Sequence, residues 1–236
     1  MRAKANAPLH AWDLSPREAI ALQKALAGAV VRSDRFGPGE RRAIRRVAGV
    51  DAAFADGGRT IRAAAVLLEF PGLTPVESVL IERPTAFPYV PGLLSFREVP
   101  ALLEALGGLR GAPDLVLCDG HGYAHPRRFG LACHLGLWLY VPAIGLPKSR
   151  LTGVHEEPGP EKGDVAWLLA GKGVRPRERI GAVLRTRARV KPVYVSAGHR
   201  VSLRTAVSLA LACATRYRLP EPTRLADKLS RAPGEA

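Results

Sequence analysis

Apolar residues recur along the chain with two different periods, and the points where the period changes divide it into a series of elements. Ser15-Pro16-Arg17-Glu18 opens the first of these, with a hydroxyl residue suited to an N-cap, proline at the first helical position and glutamate three residues after the cap. Together with the apolar residues through Val31, this predicts a helix that Phe36-Gly-Pro-Gly39 stops. Three extended segments follow at residues 46–54, 60–70 and 76–81, separated by Asp56-Gly-Gly58 and Pro71-Gly72. Runs of this length between strong turn formers predict an antiparallel meander.

Beyond the proline-rich Phe87-Pro-Tyr-Val-Pro-Gly92, residues 95–106 read as a helix and 114–118 as a strand. Leu-Val-Leu-Cys offers no polar face, so that strand is expected to be covered on both sides. A helix over 129–139 and a short strand over 141–146 continue a β-α-β-α-β run. A charged Pro/Gly loop at 156–162, strands at 179–187 and 192–196, and helices at 202–216 and 222–230 complete the chain. The pattern predicts an α/β fold, a mixed sheet flanked by helices. With no internal repeat, low-complexity tract or boundary, it is expected to form a single domain over 1–236, with loosely ordered tails at 1–14 and 231–236.

Composition makes that expectation affordable and adds a partner class. A chain of 236 residues with 47% hydrophobic content can fill a substantial core. Its 35 Lys plus Arg against 21 Asp plus Glu leave a net charge of +14. This balance points to nucleic acid, and the arginine fork suits phosphate, although Arg-rich usage also follows from a GC-rich genome. Charge therefore names a partner and no reaction. Cys118, Cys133 and Cys213 are odd in number, far apart and set among apolar residues, which argues against a disulfide framework or a zinc knuckle. The first residues lack the apolar run of a signal peptide, and Pro142 interrupts the apolar stretch 135–146 well short of membrane-spanning length. The expectation is a soluble cytoplasmic monomer without membrane contact.

Candidate chemistry lies where charge interrupts apolar strands. Asp51 breaks Val47-Ala-Gly-Val-Asp-Ala-Ala-Phe54, where burial would be costly without partners or a metal. The alternative is an exposed edge position. Asp119 directly follows an apolar strand, with Gly120 and Gly122 opening the backbone to close approach, and the alternative there is a simple Asp-Gly turn. Two aspartates on neighbouring strands would offer the hard oxygen ligands that Mg²⁺ takes beside phosphate and water. Glu98 would extend such a site from the first turn of its helix, but Ser95-Phe-Arg-Glu98 equally fits a capping box. Lys148 follows its own short strand, as a stabiliser of phosphate charge or as a solvated lysine.

Tyr89 between prolines is a rigidly presented ring suited to stacking or wedging between bases, or else a proline-stiffened loop packed on the core. His125-Pro-Arg-Arg128 combines a ring with two phosphate binders, or is a basic surface turn. His134 on an apolar helix reads as a core histidine in preference to a metal ligand. His199 precedes a helix whose free N–H groups suit phosphate. Nucleophile elbows, P-loops and dinucleotide fingerprints are absent from the sequence.

In order along the chain, Val-Ala-Gly-Val-Asp51, Tyr89-Val-Pro-Gly-Leu-Leu-Ser-Phe-Arg-Glu98, Asp119-Gly-His-Gly-Tyr-Ala-His-Pro-Arg-Arg-Phe-Gly-Leu-Ala-Cys-His-Leu-Gly136, Gly-Leu-Pro-Lys148-Ser-Arg-Leu and Glu221-Pro-Thr-Arg-Leu-Ala-Asp227 resemble the endonuclease V family. The resemblance runs from about residue 15 to residue 230. It implies a ribonuclease H-like fold, Mg²⁺ with Mn²⁺ as substitute, and nicking at the second phosphodiester bond 3′ to a deaminated base, chiefly hypoxanthine. The products would be 5′-phosphate and 3′-hydroxyl ends, the substrate DNA with deaminated bases or inosine-containing RNA.

The same resemblance makes Asp51 and Asp119 direct metal ligands, Glu98 the third acidic residue of the metal site and Lys148 the catalytic lysine. Tyr89 matches the wedge that fills the space of the displaced base, and Gly92, Leu94, Gly120, His125, Leu131 and Leu151 match the pocket for the flipped base. Three positions depart from or vary within the family pattern: His121 stands where an amide is expected, Cys133 where serine is expected, and Asp227 where relatives carry His or Asp. Asp227 is accordingly assigned a catalytic or metal-linked role, with a solvated helix face as the alternative. A non-catalytic nucleic-acid binding module is the competing class.

Overall fold

The computed structural model describes residues 9–36, 43–171 and 178–232. Helix α1 spans Pro16–Ala27, and its start forms the expected capping box: Ser15 Oγ accepts from the Glu18 backbone N–H while Glu18 reaches back to the Ser15 N–H. It ends at Gly28, earlier than the expected stop at 36–39, of which residues 37–39 lie outside the described residues. The meander follows as β1 (Arg46–Ala55), β2 (Thr60–Glu69) and β3 (Pro75–Pro84), paired antiparallel in sequence order. Next come α2 (Leu94–Gly107), β4 (Leu115–Cys118), α3 (Leu131–Leu139) and β5 (Ala143–Gly145). Gly130 takes the N-cap of α3, which starts that helix two residues later than expected.

The remaining elements are β6 (Val165–Leu169), β7 (Arg179–Leu184), β8 (Val193–His199), α4 (Leu203–Ala212) and α5 (Glu221–Ser230). Strand β6 was not anticipated from sequence. Its Val-Ala-Trp-Leu-Leu run between Gly163 and Gly171 was masked by the charged loop that precedes it. The eight strands form one sheet in the order β3-β2-β1-β4-β5-β8-β7-β6. β1, β4 and β5 run parallel at its centre, and antiparallel strands extend it on both sides. This mixed sheet with helices on both faces is the expected α/β architecture. No helix among the described residues is long and apolar enough to cross a membrane.

Strand parity divides the core in two. Val47, Leu115, Leu117 and Ile144 face one side with Ala206 and Ala210 of α4 and Ala226 of α5. Ala48, Val50, Val116 and Cys118 face the other with Val99 and Leu102 of α2 and Leu135 of α3. Because alternate residues point to opposite faces, each central strand must be apolar throughout. The segment before α1, expected as a loose tail, contributes to a further cluster: Trp12 and Leu14 pack with Phe87, Leu93 and Phe96.

Candidate metal and nucleic-acid site

The parity that sorts the core also brings the acidic residues together. β1 and β4 are parallel neighbours with Val50 opposite Cys118, so the next residues, Asp51 and Asp119, fall side by side on the α5 face. Asp119 donates its backbone N–H to Val50 O at 3.4 Å, which ties its turn to β1. Helix α5 supplies the third carboxylate. Gly49, two residues before Asp51 and on the same face, lies directly beneath Pro222, and a Cβ there would collide with the Pro222 carbonyl. A strand glycine of this kind marks close backbone approach, and here it lets α5 settle on β1.

Oxygen atoms of Asp51, Asp119 and Asp227 consequently lie within 4.8 Å of one another. The solvated-face reading of Asp227 is therefore replaced by a place in the cluster. Ser230, one helical turn beyond Asp227, donates Oγ–H to Asp51 Oδ2 at 2.6 Å. Lys148, carried past the end of β5, sits 2.6 Å from Asp119 Oδ2 and 2.6 Å from Asp227 Oδ1. Arg231 approaches Asp227 Oδ1 at 3.2 Å.

Glu98 comes from the other layer. It is buried on α2, which packs on the face opposite α5, and it is not among the three carboxylates of the cluster. Its alternative role as a capping residue does not hold: α2 begins at Leu94 after an N-cap at Leu93, without a side-chain cap, and Ser95 Oγ is buried without a partner. Desolvation, then the charges of Asp51 and Asp119, push the Glu98 carboxyl well above its ordinary value, with Arg97 opposing. Asp51 is raised to about 6 by burial, with the Ser230 hydrogen bond opposing and the neighbouring aspartates adding to the rise. Partial burial pulls the Lys148 ammonium down, but its hydrogen bonds to Asp119 and Asp227 more than offset this and leave it raised.

Converging carboxylates that share a cation are suited to a hard divalent ion, and the Lys148 ammonium occupies the corresponding electrostatic role between two of them. Asp51 at 7% exposure, raised to about 6 by burial and further by its acidic neighbours, is a carboxylate whose ionised form such an ion would favour. The residues fit a metal.

The base-facing residues form two contact groups. Gly92, at φ +79°, turns its carbonyl toward His125 Nε2 at 3.1 Å, Arg127 Nη2 at 2.7 Å and Gln23 Nε2 at 3.1 Å. His125 Nδ1 accepts from the Arg127 backbone N–H at 3.1 Å, so the proton lies on Nε2 and the ring is neutral. Burial and the Arg127 charge agree, drawing its pKa down to about 4. Gly120 lies against Leu131, whose side chain fills the space a Cβ would need. Leu94 and Leu151 are partly exposed, and Tyr89 is 72% exposed, which favours a presented ring over one packed in the core. Arg97 spans Phe54, 4.2 Å from its ring centroid, and Tyr89 at 5.9 Å, while donating to Gly58 O.

Other expectations change. Arg127 and Arg128, read as phosphate binders, are engaged internally: Arg127 with Gln23 and Gly92, Arg128 with Glu178 at 2.7 Å. His199 is buried at the end of β8, its Nδ1 accepting from the Val31 N–H, and does not offer itself to phosphate. His134 is a core histidine, as expected, hydrogen-bonded to His10 at 2.7 Å within a ring cluster that includes Trp12 and Phe96. His121 is lowered to about 4 by burial, and Cys133 is a buried thiol directed at Gly198 O. Gly49, Ser230 and Arg97 escaped sequence reasoning. Gly49 inside an apolar strand and the i, i+3 spacing of Asp227 and Ser230 were the signals available.

The endonuclease V family model matches residues 24–228. Endonuclease V of Trichormus variabilis is 51% identical over 222 residues, covering 94% of this chain and 96% of the relative. The crystal structure of endonuclease V from Streptomyces avermitilis superposes with a TM-score of 0.85 at 45% identity, covering 93% of each chain. That of Ciona intestinalis endonuclease V, in complex with a 24mer DNA containing an inosine followed by a ribo-adenosine, gives 0.77 at 27% identity, covering 91% of this chain and 95% of that one. These likenesses carry the ribonuclease H-like fold and remove the binding-only alternative. The chain belongs to the endonuclease V family and is an endonuclease.

Proposed function

We propose that the protein nicks a strand at the second phosphodiester bond 3′ to a deaminated base, chiefly hypoxanthine, leaving 5′-phosphate and 3′-hydroxyl ends in the repair of deaminated DNA. The observation that carries this reading is the convergence of Asp51, Asp119 and Asp227 oxygens within 4.8 Å beside Lys148, in a chain of net charge +14. Mg²⁺, with Mn²⁺ as substitute, would be held by Asp51 and Asp119 with Asp227, and Glu98 would act on it from the opposite layer. Such an ion supplies charge neutralisation at the attacked phosphate and acidifies water.

The chain's own groups do the remaining work. Lys148 Nζ, held by two carboxylates, is a fixed positive charge for the attacked phosphate. Glu98, whose carboxyl desolvation pushes well above its ordinary value, is a strong base in its ionised form and would take the proton of the attacking water. Tyr89 fills the gap in the opened strand, while Gly92, Leu94, Gly120, His125, Leu131 and Leu151 receive the flipped base through backbone groups and shape. The neutral His125 keeps the Gly92 carbonyl oriented. Three buried free thiols support a reducing compartment, and the reading takes the protein as a cytoplasmic monomer.

Asp119→Ala is expected to abolish Mg²⁺-dependent nicking of an inosine oligonucleotide while leaving much of the binding intact. Undiminished cleavage would reject the assignment. The ribo-adenosine beside inosine in the Ciona intestinalis complex favours a second reading, action on inosine-containing RNA. Paired inosine DNA and RNA strands, each with Mg²⁺ and with Mn²⁺, separate the two.

A further inference from the structure

A surface cavity lined by Arg32, Tyr123, Arg179, Ile180, Ala197 and Leu203 includes none of the residues assigned above to metal or base. Its floor is apolar, with Ile180 and Ala197 buried and Leu203 packed on the core. Its rim is cationic and exposed. The Arg32 guanidinium lies over the Tyr123 ring, 4.0 Å from the centroid, and that of Arg179 lies 4.7 Å from the Trp167 centroid. Neither guanidinium is hydrogen-bonded or paired with a carboxylate among the described residues.

Among the described residues, the carboxylate that faces this rim is already engaged. Glu178 accepts from Tyr123 Oη at 2.7 Å and from Arg128 Nη2 at 2.7 Å, so Arg32, Arg128 and Arg179 outnumber it three to one. The wall is also held in place: the Tyr123 N–H donates to Ala197 O and the Ala124 N–H to Ser196 Oγ, each at 2.8 Å. Tyr123 belongs to the same Asp119–His125 stretch that carries a cluster carboxylate at one end and a candidate base-pocket residue at the other. Two guanidinium groups stacked on half-buried rings, with no carboxylate partner among the described residues and beside an apolar floor, match a phosphate with its attached sugar or base.

We propose that this cavity binds a backbone phosphate of the nucleic-acid substrate at a distance from the bond that is cut. Arg32 and Arg179 hold the phosphate, and Tyr123 packs on the adjoining sugar or base. The proposal rests on the nucleic-acid nicking activity proposed above and adds to it a second anchoring point, one that sets affinity and register without touching the reacting atoms.

The test is single-turnover nicking of an inosine-containing duplex with Mg²⁺, with enzyme concentration and salt both varied. The R32A/R179A protein is expected to need roughly 10-fold more enzyme for half-maximal rate at low salt, at an unchanged maximal rate. The slope of log affinity against log salt should fall by about 1. R32K/R179K, which keeps the charge, should retain the slope. R83A/R110A removes the same charge at the opposite sheet edge and should behave as the parent does.

An R32A/R179A protein with parental affinity and slope would overturn the proposal. So would binding of free AMP that this variant lacks while its oligonucleotide affinity is unchanged, because the cavity would then serve a free nucleotide. A parent protein that fails to nick the inosine strand at all would instead bring down the nicking activity on which the proposal rests.

Discussion

The two faces of the central strands hold their acidic groups in opposite ways. On the α5 face, Gly49 removes a side chain, the helix backbone closes onto β1, and three carboxylates converge with Lys148 among them. On the α2/α3 face the same strands present Ala48, Val50, Val116 and Cys118 to a largely apolar layer. Glu98 is buried at that layer, near enough to feel Asp51 and Asp119 but outside their cluster. One face builds a cation site that needs ionised oxygens, and the other raises a carboxyl's affinity for its proton by desolvation. Acidic groups of similar chemistry are thus given different work by the layer that carries them.

Substituting one carboxyl from each face tests this division most severely. Glu98→Gln is expected to lower the maximal nicking rate by about 10²–10⁴, the usual span for a lost proton-transfer group, with little change in the Mg²⁺ concentration for half-maximal rate. Asp227→Asn should instead raise that concentration roughly 10-fold or more, given that even outer-shell partners cost about 10–100-fold in metal affinity. Mg²⁺ titrations of both variants decide the matter. Equal displacement of the Mg²⁺ midpoint would erase the difference between the faces.

Gly49→Val attacks the α5 face through its backbone. The added branches meet Pro222, so α5 must move away, taking Asp227 and Ser230 with it. Overpacking of this kind costs about 1–3 kcal/mol or more, read as a lowered denaturation midpoint together with weakened Mg²⁺ dependence. A stable variant with an unchanged Mg²⁺ midpoint would show that α5 reaches the site without the glycine.

These differences explain what could be read from the chain alone. The meander and the buried β4 follow from local pattern, because turn formers bound the strands and parity sets their faces, whereas the adjacency of Asp51 and Asp119 depends on the pairing of β1 with β4, which are distant along the chain. Strand β6 was hidden by its charged approach, and the end of α1 by apolar residues that continue past Gly28. Glu98 and Asp227 were named from resemblance, but their layers were not legible. Local spacing does not say which face a helix covers, and Ser95-Phe-Arg-Glu98 imitates a capping box that the helix, with its N-cap two residues earlier at Leu93, does not form. The Gly92–His125–Arg127 contacts join residues far apart in sequence and had no local signal.

Protons and metal compete on the α5 face, which gives a smaller and more graded effect. Asp51, raised to about 6 from an ordinary 3.8, binds more protons folded than unfolded between those values. Its contribution to stability without metal is therefore fully present below about 3.8 and is lost as pH rises through about 6. Bound Mg²⁺ requires the ionised form, so the rise in melting temperature on adding Mg²⁺ should grow from pH 5 to pH 8. A Mg²⁺ effect independent of pH would mean that Asp51 ionises without difficulty and that the α5 face is less desolvated than its burial indicates.

The smallest effect probes the other face, where the buried polar groups serve packing. His134 is buried among Trp12, Phe96, Phe129 and Trp138, and accepts or donates a single hydrogen bond with His10. Burial, with His10 adding to it, holds its pKa well below the ordinary 6.5. Unfolded chains take up a proton there below about 6.5 and the folded chain does not, so its stabilising contribution is complete above 6.5 and declines as pH falls. Asp51 and Glu98, both raised, lean the opposite way over part of the same range, so the total curve mixes the two faces. His134→Phe keeps a ring of similar size and removes one of the opposed contributions. Its stability between pH 6.5 and pH 5 should decline less steeply than the parent's, by up to about 1.4 kcal/mol per pH unit for the one proton removed. Denaturant midpoints for the two proteins across that range are the measurement. Parallel curves would mean that the histidine takes its proton in the folded state as readily as in the unfolded one, and the α2/α3 face would then no longer be the dry layer that sets Glu98 apart from the cluster.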